Sequence, residues 1–157
     1  MIYSVATVHG MQSRSASEEV ELATLLENIN GKCGCPIICS NELASPVWLN
    51  NDQAVPVALA LNELVANACK HCSANSSIAV SIKANESRAF ITIANHFDDS
   101  RIAVAGSGRG LSLVRLLLPE KSASILVTQA GDIFSVELTF TSPLVTFGSH
   151  TANRDHS

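Results

Sequence analysis

Residues 55–71, VPVALALNELVANACKH, constrain the fold of this chain more than any other stretch. The run is apolar for most of its length, yet it carries Asn62, Glu63, Asn67, Lys70 and His71. Asn67 follows Glu63 by four positions and Lys70 follows Asn67 by three. On a helix those side chains share one face, one turn above another. Leu61, Leu64, Val65 and Ala68 cover most of the remaining surface, which calls for a helix largely buried in a core. A buried carboxylate or amide without a partner costs roughly 1–3 kcal/mol or more. The stripe must therefore meet solvent at a sheet edge or face a ligand, and a metal–phosphate group would suit it. The stripe alone leaves both open.

The rest of the composition narrows the setting. The chain has 157 residues, 46% of them apolar and only 15% charged, enough for one folded domain with a real core. Net charge is −4 and the basic residues are scattered, so there is no basic stripe of the kind nucleic-acid binding needs. The longest apolar run, 54–61, is far short of the ~20 residues that span a bilayer. The N-terminal MIYSVATVHGMQSR lacks the basic region and apolar core of a signal peptide. These features predict a cytoplasmic protein without a membrane segment. Five cysteines, an odd number, argue against a closed disulfide framework. Cys33-x-Cys35-x3-Cys39 and Cys69-Lys70-His71-Cys72 offer thiolates and a histidine that zinc could use. The first group lacks a CxxC knuckle, however, and Cys69 falls where a small core residue would. Buried, reduced cysteine is the expectation.

Residues 2–11 read as the end of a helix that needs a partner. Ser15 and Glu18 fit a capping box ahead of an amphipathic helix carrying Val20, Leu22, Leu25, Leu26 and Ile29, stopped by Asn30-Gly31. Residues 35–40 and 46–49 read as strands. Asp52 caps the long helix, with Pro56 near its first turn. Alternation of Ile78, Val80 and Ile82, then of Ile91 and Ile93, predicts an antiparallel hairpin. A loop over 95–110 closes with GSGRG and runs into a helix over 111–118, stopped by Pro119. Strands over 124–129 and 133–140 form a last hairpin, and a polar stretch ends the chain. The pattern predicts an α+β, two-layer sandwich, with helices on one face of a mixed, mostly antiparallel sheet.

Two features bear on chemistry. The long helix offers Glu63 and Asn67, and the loop offers Gly106, Gly108 and Gly110 running directly into a helix N-terminus. Alternate glycines let backbone N–H groups approach an anion closely, and the helix dipole favours negative charge there. GSGRG is not a Walker loop and does not follow a strand as the dinucleotide fingerprint does. A phosphate lid is thus suggested by the pair of elements together.

LALNELVANACKH resembles the N box of the Bergerat-fold (GHKL) ATPases, and GSGRGLSLVRLLLP resembles the second glycine box that follows their ATP lid. Leu-Asn-Glu-Leu with Asn-Ala and Lys-His is most similar to bacterial two-component sensor histidine kinases of the HWE-like subgroup. SVATVHGM resembles the end of the dimerisation segment in that subgroup. The resemblance implies a division into 1–12, the end of a dimerisation or linker helix; 13–143, the ATPase domain; and 144–157, a polar tail. It implies ATP and Mg2+ as cofactors. Glu63 would be catalytic, polarising a water or nucleophile near the γ-phosphate, and Asn67 would ligate Mg2+. Lys70 and His71 would face the phosphates, and Gly106, Gly108, Gly110 and Leu111 would form the closing lid and the helix behind it. The partner would be a histidine phosphoacceptor domain in cis or in trans, with a response regulator served indirectly and a homodimer as the assembly.

The chain departs from that family at the adenine end. The strand ITIA is followed by Asn95-His96-Phe97-Asp98-Asp99 where the family has Asp-x-Gly-x-Gly. Asn95 would accept the adenine amino proton in place of the aspartate, without the charge that roughly doubles such a bond. Phe97 replaces a glycine where the base should pass. The segment between Asn95 and Gly106 is short, and no phosphoacceptor box is present. An anti-sigma-factor-like serine kinase and a non-catalytic Bergerat-fold adaptor are the rival readings.

Overall fold

Stretches that alternate apolar and polar residues assemble edge to edge, and the long apolar helix covers them. The computed structural model describes residues 19–29, 34–97 and 109–148. In chain order these carry β1 (Glu19–Glu21), α1 (Leu22–Glu27), β2 (Ile37–Asn41), β3 (Val47–Asn50) and a 3-10 turn at Asn51–Gln53. There follow α2 (Ala54–His71), β4 (Ile78–Ala84), β5 (Arg88–His96), α3 (Arg109–Leu117), β6 (Ala123–Ala130), β7 (Ile133–Thr141) and β8 (Val145–Phe147).

The main sheet has five strands in the order β2-β4-β5-β7-β6. β2 runs parallel to β4, and the other neighbours are antiparallel. Val80 sits opposite Ile93 and Ile82 opposite Ile91, while Ile91 and Ile93 in turn face Leu138 and Val136. Because side chains alternate along a strand, this register puts one apolar row on a single face. All of these residues are buried, together with Val57, Ala58, Leu61, Leu64, Val65 and Ala68 of α2. α2 packs across β5 and against α3. The expected α+β architecture is what the chain adopts. It adds a small antiparallel sheet, β1-β3-β8, that the strand pattern does not suggest.

Four expectations are corrected. The helix predicted from Val20 begins only at Leu22, because Glu19–Glu21 pairs as a strand with β3, Val20 opposite Leu49. Val20 stays buried, so a β-branched residue fills the core from an extended backbone instead of a helical one. The helix closes at Asn28, whose Nδ2 donates to the Thr24 carbonyl (2.8 Å); the Ser15/Glu18 box and the Asn30-Gly31 stop lie outside the described residues. Asp52 does not cap α2: its N–H donates to the Asn50 side chain (3.4 Å), and α2 begins at Ala54 after the intervening turn. The domain also continues past residue 143. Leu144 and Val145 are buried, β8 pairs with β3, and the Asn50 N–H donates to the Leu144 carbonyl (3.0 Å). The predicted tail over 144–157 is therefore structured at least to residue 148, and residues 1–12 lie outside the described ones.

The fourth correction concerns cysteine. Cys35 and Cys72 form a disulfide, Cys69 is disulfide-bonded as well, and Cys39 is the free and exposed one among the described residues. An odd count does not exclude bridges when one thiol is left over.

Candidate functional site

α2 buries one side and turns a stripe outward. Glu63, Asn67 and His71 are partly buried, Ala66 and Lys70 are exposed, and Leu59 continues the stripe toward the N-terminus. The three polar residues singled out in the sequence do fall on one face, and exposure rises toward the C-terminal end. Glu63 Oε1 is shut off from solvent and has no hydrogen-bond partner among the described residues. An acceptor-only group left this way is unfavourable unless something outside the described residues, or a ligand, donates to it. Asn62, one residue earlier, is buried at 8% exposure and points to the other side of the stripe by helical geometry.

The end of β5 forms the second wall. Asn95 is 3% exposed, and its Nδ2 donates to the His96 carbonyl (3.2 Å). The Ser73 N–H, just beyond α2, donates to the same His96 carbonyl (2.9 Å), and Cys72 bridges to Phe97. On its other side the Phe97 N–H donates to the Asp132 carbonyl in the β6–β7 turn (2.9 Å). His96 Nδ1 and Asp132 Oδ2 stand 3.1 Å apart at the surface, an exposed contact of little weight for stability. Phe97 is thus moored between the exit of α2 and the turn at Gly131. Only Gly131 in that turn takes a left-handed φ, +61°, which glycine adopts without a Cβ clash.

The third wall is α3, which starts at Arg109 and packs against α2. Gly110 lies in its first turn, and Leu111 is partly buried against the core. Gly106 and Gly108 lie outside the described residues. The fold therefore brings together the helix of Glu63 and Asn67, the strand of Asn95, and the helix that follows the glycines. Among the described residues, no three His, Cys, Asp or Glu side chains gather into a metal cage. Of the cysteines that could have suggested one, Cys35, Cys69 and Cys72 are joined in disulfides, Cys39 is free, and Cys33 lies outside the described residues. Cys39 is exposed as a residue, but partial desolvation of its sulfur raises the thiol above its ordinary value, and the nearby Glu27 carboxylate raises it further.

Two features of this site escape a reading of the sequence. The backbone joint from Cys72 and Ser73 to His96 and Phe97 involves no side-chain pattern. The Cys35–Cys72 disulfide spans 37 residues and depends on β2 lying parallel beside β4. Its only signal is the paired clustering of cysteines at 33–35 and 69–72.

No family profile matches the chain, and no curated protein matches it in sequence. Solved structures do. A mycobacterial sensor histidine kinase, MprB, is similar with a TM-score of 0.59 at 14% identity, over 79% of this chain and 96% of that one. The fold is that of a histidine kinase catalytic domain. The histidine kinase domain of the Erythrobacter litoralis EL346 blue-light activated kinase is similar at 0.61 and 18% identity, over 90% of this chain and 76% of that one. Acinetobacter baumannii AdeS is similar at 0.57 and 14% identity, over 89% and 74%. In this fold α2 carries Glu63 and Asn67, and α3 begins at Arg109 and Gly110, the last two residues of the GSGRG stretch. No helix among the described residues is long and apolar enough to cross a membrane.

Proposed function

We propose that this chain is a Mg-ATP-binding catalytic domain of a bacterial sensor histidine kinase of the HWE-like subgroup, passing the γ-phosphoryl to a histidine on another domain or chain. The observation that carries it is the solvent-shielded Glu63 Oε1, without a hydrogen-bond partner among the described residues, one turn before Asn67, on the helix that packs against both β5 and α3. A carboxylate oxygen kept in that state is suited to accept a proton from a nucleophile held at the γ-phosphate. Asn67, a neutral amide oxygen, fits a hard cation, and Mg2+ takes few protein ligands when phosphate oxygens and waters supply the rest. When bound, Mg2+ would neutralise charge on the transferring phosphoryl, and positioning would do most of the remaining work. Lys70 and His71 would meet the phosphates, and Gly106, Gly108, Gly110 and Leu111 would line the lid side. Asn95 would take the adenine amino group. A cytoplasmic location, a homodimer, a phosphoacceptor domain in cis or in trans and a response regulator beyond it belong to the same proposal.

Titration calorimetry with a non-hydrolysable ATP analogue and Mg2+ tests this reading. Binding in the micromolar to sub-millimolar range supports it, and no heat at millimolar nucleotide overturns it.

A second reading has its own observation. Phe97 is moored on both sides, and a neutral Asn95 stands at the adenine end, which favours a fold that has kept the scaffold and serves as a docking surface. Partner binding unaffected by Asn67→Ala, with no nucleotide bound, would decide for it.

A further inference from the structure

The Cys35–Cys72 disulfide sits where the exit of α2 meets the end of β5. Cys72 is the exit residue of α2, directly after Lys70 and His71, and its backbone bridges to Phe97. Cys35 lies just before β2, next to Pro36, whose carbonyl accepts from the Ile78 N–H at the start of β4 (2.8 Å). The bond therefore straddles the connection from α2 to β4. One mooring of that connection is Pro36–Ile78, and the other is Ser73–His96. With the bond closed, the exit of α2 is fixed to the sheet edge from one side and to the end of β5 from the other. With it open, Cys72 itself is held by the backbone bridge to Phe97 and the Ser73–His96 hydrogen bond, one turn beyond the bridged Cys69.

We propose that the Cys35–Cys72 pair is a reversible thiol switch that sets nucleotide affinity by clamping the exit of α2, which bridges to the end of β5, to the sheet edge at β2. As a control over nucleotide, this rests on the ATP-binding reading above. The closed form binds more tightly, because a clamp that pre-sets Asn95 relative to Lys70 and His71 lowers the ordering that binding requires.

The chemistry is thiol–disulfide exchange. Cys35 is partly exposed and Cys72 is 8% exposed, so Cys35 is the more accessible side of the bond for an external thiolate. The attack forms a mixed disulfide on Cys35 and breaks the bond to Cys72, which leaves as a thiolate and takes a proton from water. A second thiolate, from the same dithiol reductant, then displaces Cys35 and is itself oxidised to the disulfide. The reverse, with a small-molecule disulfide as oxidant, closes the bridge and releases two thiols. The surroundings accommodate the open form. The Ser76 hydroxyl lies 3.1 Å from the Cys72 sulfur, and the Ser73 carbonyl lies 3.6 Å from both sulfurs, ready to accept from an S–H. In a compartment kept reducing by glutathione, disulfides of this kind are characteristically transient and sensing.

The test compares the chain oxidised with glutathione disulfide against the chain reduced with dithiothreitol, in wild type and in Cys35→Ser. Cys35→Ser removes this bond while leaving the more buried Cys72 in place. Calorimetry with an ATP analogue and Mg2+ should show at least fivefold tighter binding by the oxidised wild type, and no change with oxidant in Cys35→Ser. Amide hydrogen exchange at Ser73 and Phe97 should slow at least tenfold on oxidation of the wild type alone. Equal affinities in the two states overturn the proposal even if exchange changes, since the bond is then structural only. Tighter binding by the reduced form overturns it as well. If neither state binds nucleotide, the ATP reading fails on its own, and exchange at Ser73 and Phe97 still decides the clamp: slowed exchange supports it and unchanged exchange overturns it. One zinc retained per reduced chain, blocking reoxidation, would overturn it in favour of a metal site.

Discussion

Cys72 and Phe97 pair across an antiparallel bridge, so the exit of the Glu63–Asn67 helix and the end of the Asn95 strand share one backbone joint. The hydrogen bond from Ser73 to His96 lies beside it. A change that moves either segment is therefore felt by the other, and the proposed phosphate and adenine ends of the cleft cannot be varied independently.

Asn67→Ala is expected to lower Mg-ATP affinity by at least tenfold while leaving the melting temperature within about 2 °C of wild type, because a partly exposed helix residue replaced by alanine changes stability by no more than ~0.5 kcal/mol. Calorimetry with and without Mg2+ separates the roles. The loss should vanish when Mg2+ is omitted. An equal loss without Mg2+ would place Asn67 outside the cation site.

Glu63→Gln keeps the shape of the side chain and removes its charge. Phosphoryl transfer to a phosphoacceptor histidine should fall by roughly 10²–10⁴, the range for a general base, with nucleotide affinity within threefold. The shielded Oε1, without a hydrogen-bond partner among the described residues, makes a second expectation possible: replacing the carboxylate by an amide should leave the fold as stable or raise its stability by up to ~1 kcal/mol. Urea unfolding measures this, and a marked destabilisation would mean that the carboxylate already has a structural partner.

The main sheet is legible in the sequence because long strands display their period. Ile78, Val80 and Ile82, then Ile91 and Ile93, alternate over enough residues to announce a face. The stripe on α2 is legible for the same reason at the helical period. β1 and β8 are three residues each, too short to show any period, and their pairing joins Val20 to Leu49 and Leu49 to Val145 across the chain. Such contacts are set by tertiary packing alone. The disulfide is hidden by the same non-locality, since Cys35 meets Cys72 only once β2 lies beside β4. The Cys72–Phe97 joint, made of backbone, leaves no trace in residue types.

Opening the Cys35–Cys72 bridge should also lower stability. The closed loop spans 37 residues, for which the chain-entropy relation gives about 3–4 kcal/mol. That is an upper bound while Cys69 is also bridged, so Cys35→Ser in oxidised protein should lose up to that amount in urea unfolding, and the reduced wild type should match the reduced variant.

Cys39 offers a pH test. Its thiol is pushed above the ordinary value first by partial desolvation and then by Glu27. The thiolate is the reactive form, so alkylation should be slow at neutral pH and accelerate only as pH climbs past the usual thiol range. Glu27→Gln removes the lesser cause and should speed iodoacetamide labelling at pH 8 by less than about threefold, since one repulsive charge contributes a fraction of a pKa step. Mass spectrometry of oxidised protein measures the rate at Cys39 directly.

Asn95→Asp restores the charge that the family pattern places at the end of this strand, and its effects on binding and stability should oppose one another. A charged acceptor forms a hydrogen bond roughly twice as strong, so ATP affinity should rise about five- to tenfold while GTP affinity stays level. At 3% exposure the new carboxylate loses most of its hydration, which should destabilise the free fold by roughly 1–3 kcal/mol at neutral pH. Burial raises the carboxyl pKa in the folded state above its unfolded value near 4. Below that unfolded value the group is protonated in both states and the variant should be as stable as wild type. As pH rises through the window between the two values, the unfolded chain releases its proton first and the variant loses stability; above the folded value the deficit is constant. Urea unfolding from pH 3 to pH 8, with calorimetry at pH 8, measures both effects. A variant that gains ATP affinity as its pH-dependent stability deficit appears would place Asn95 at the adenine, and one that loses stability without gaining affinity would leave Asn95 as a residue of the core.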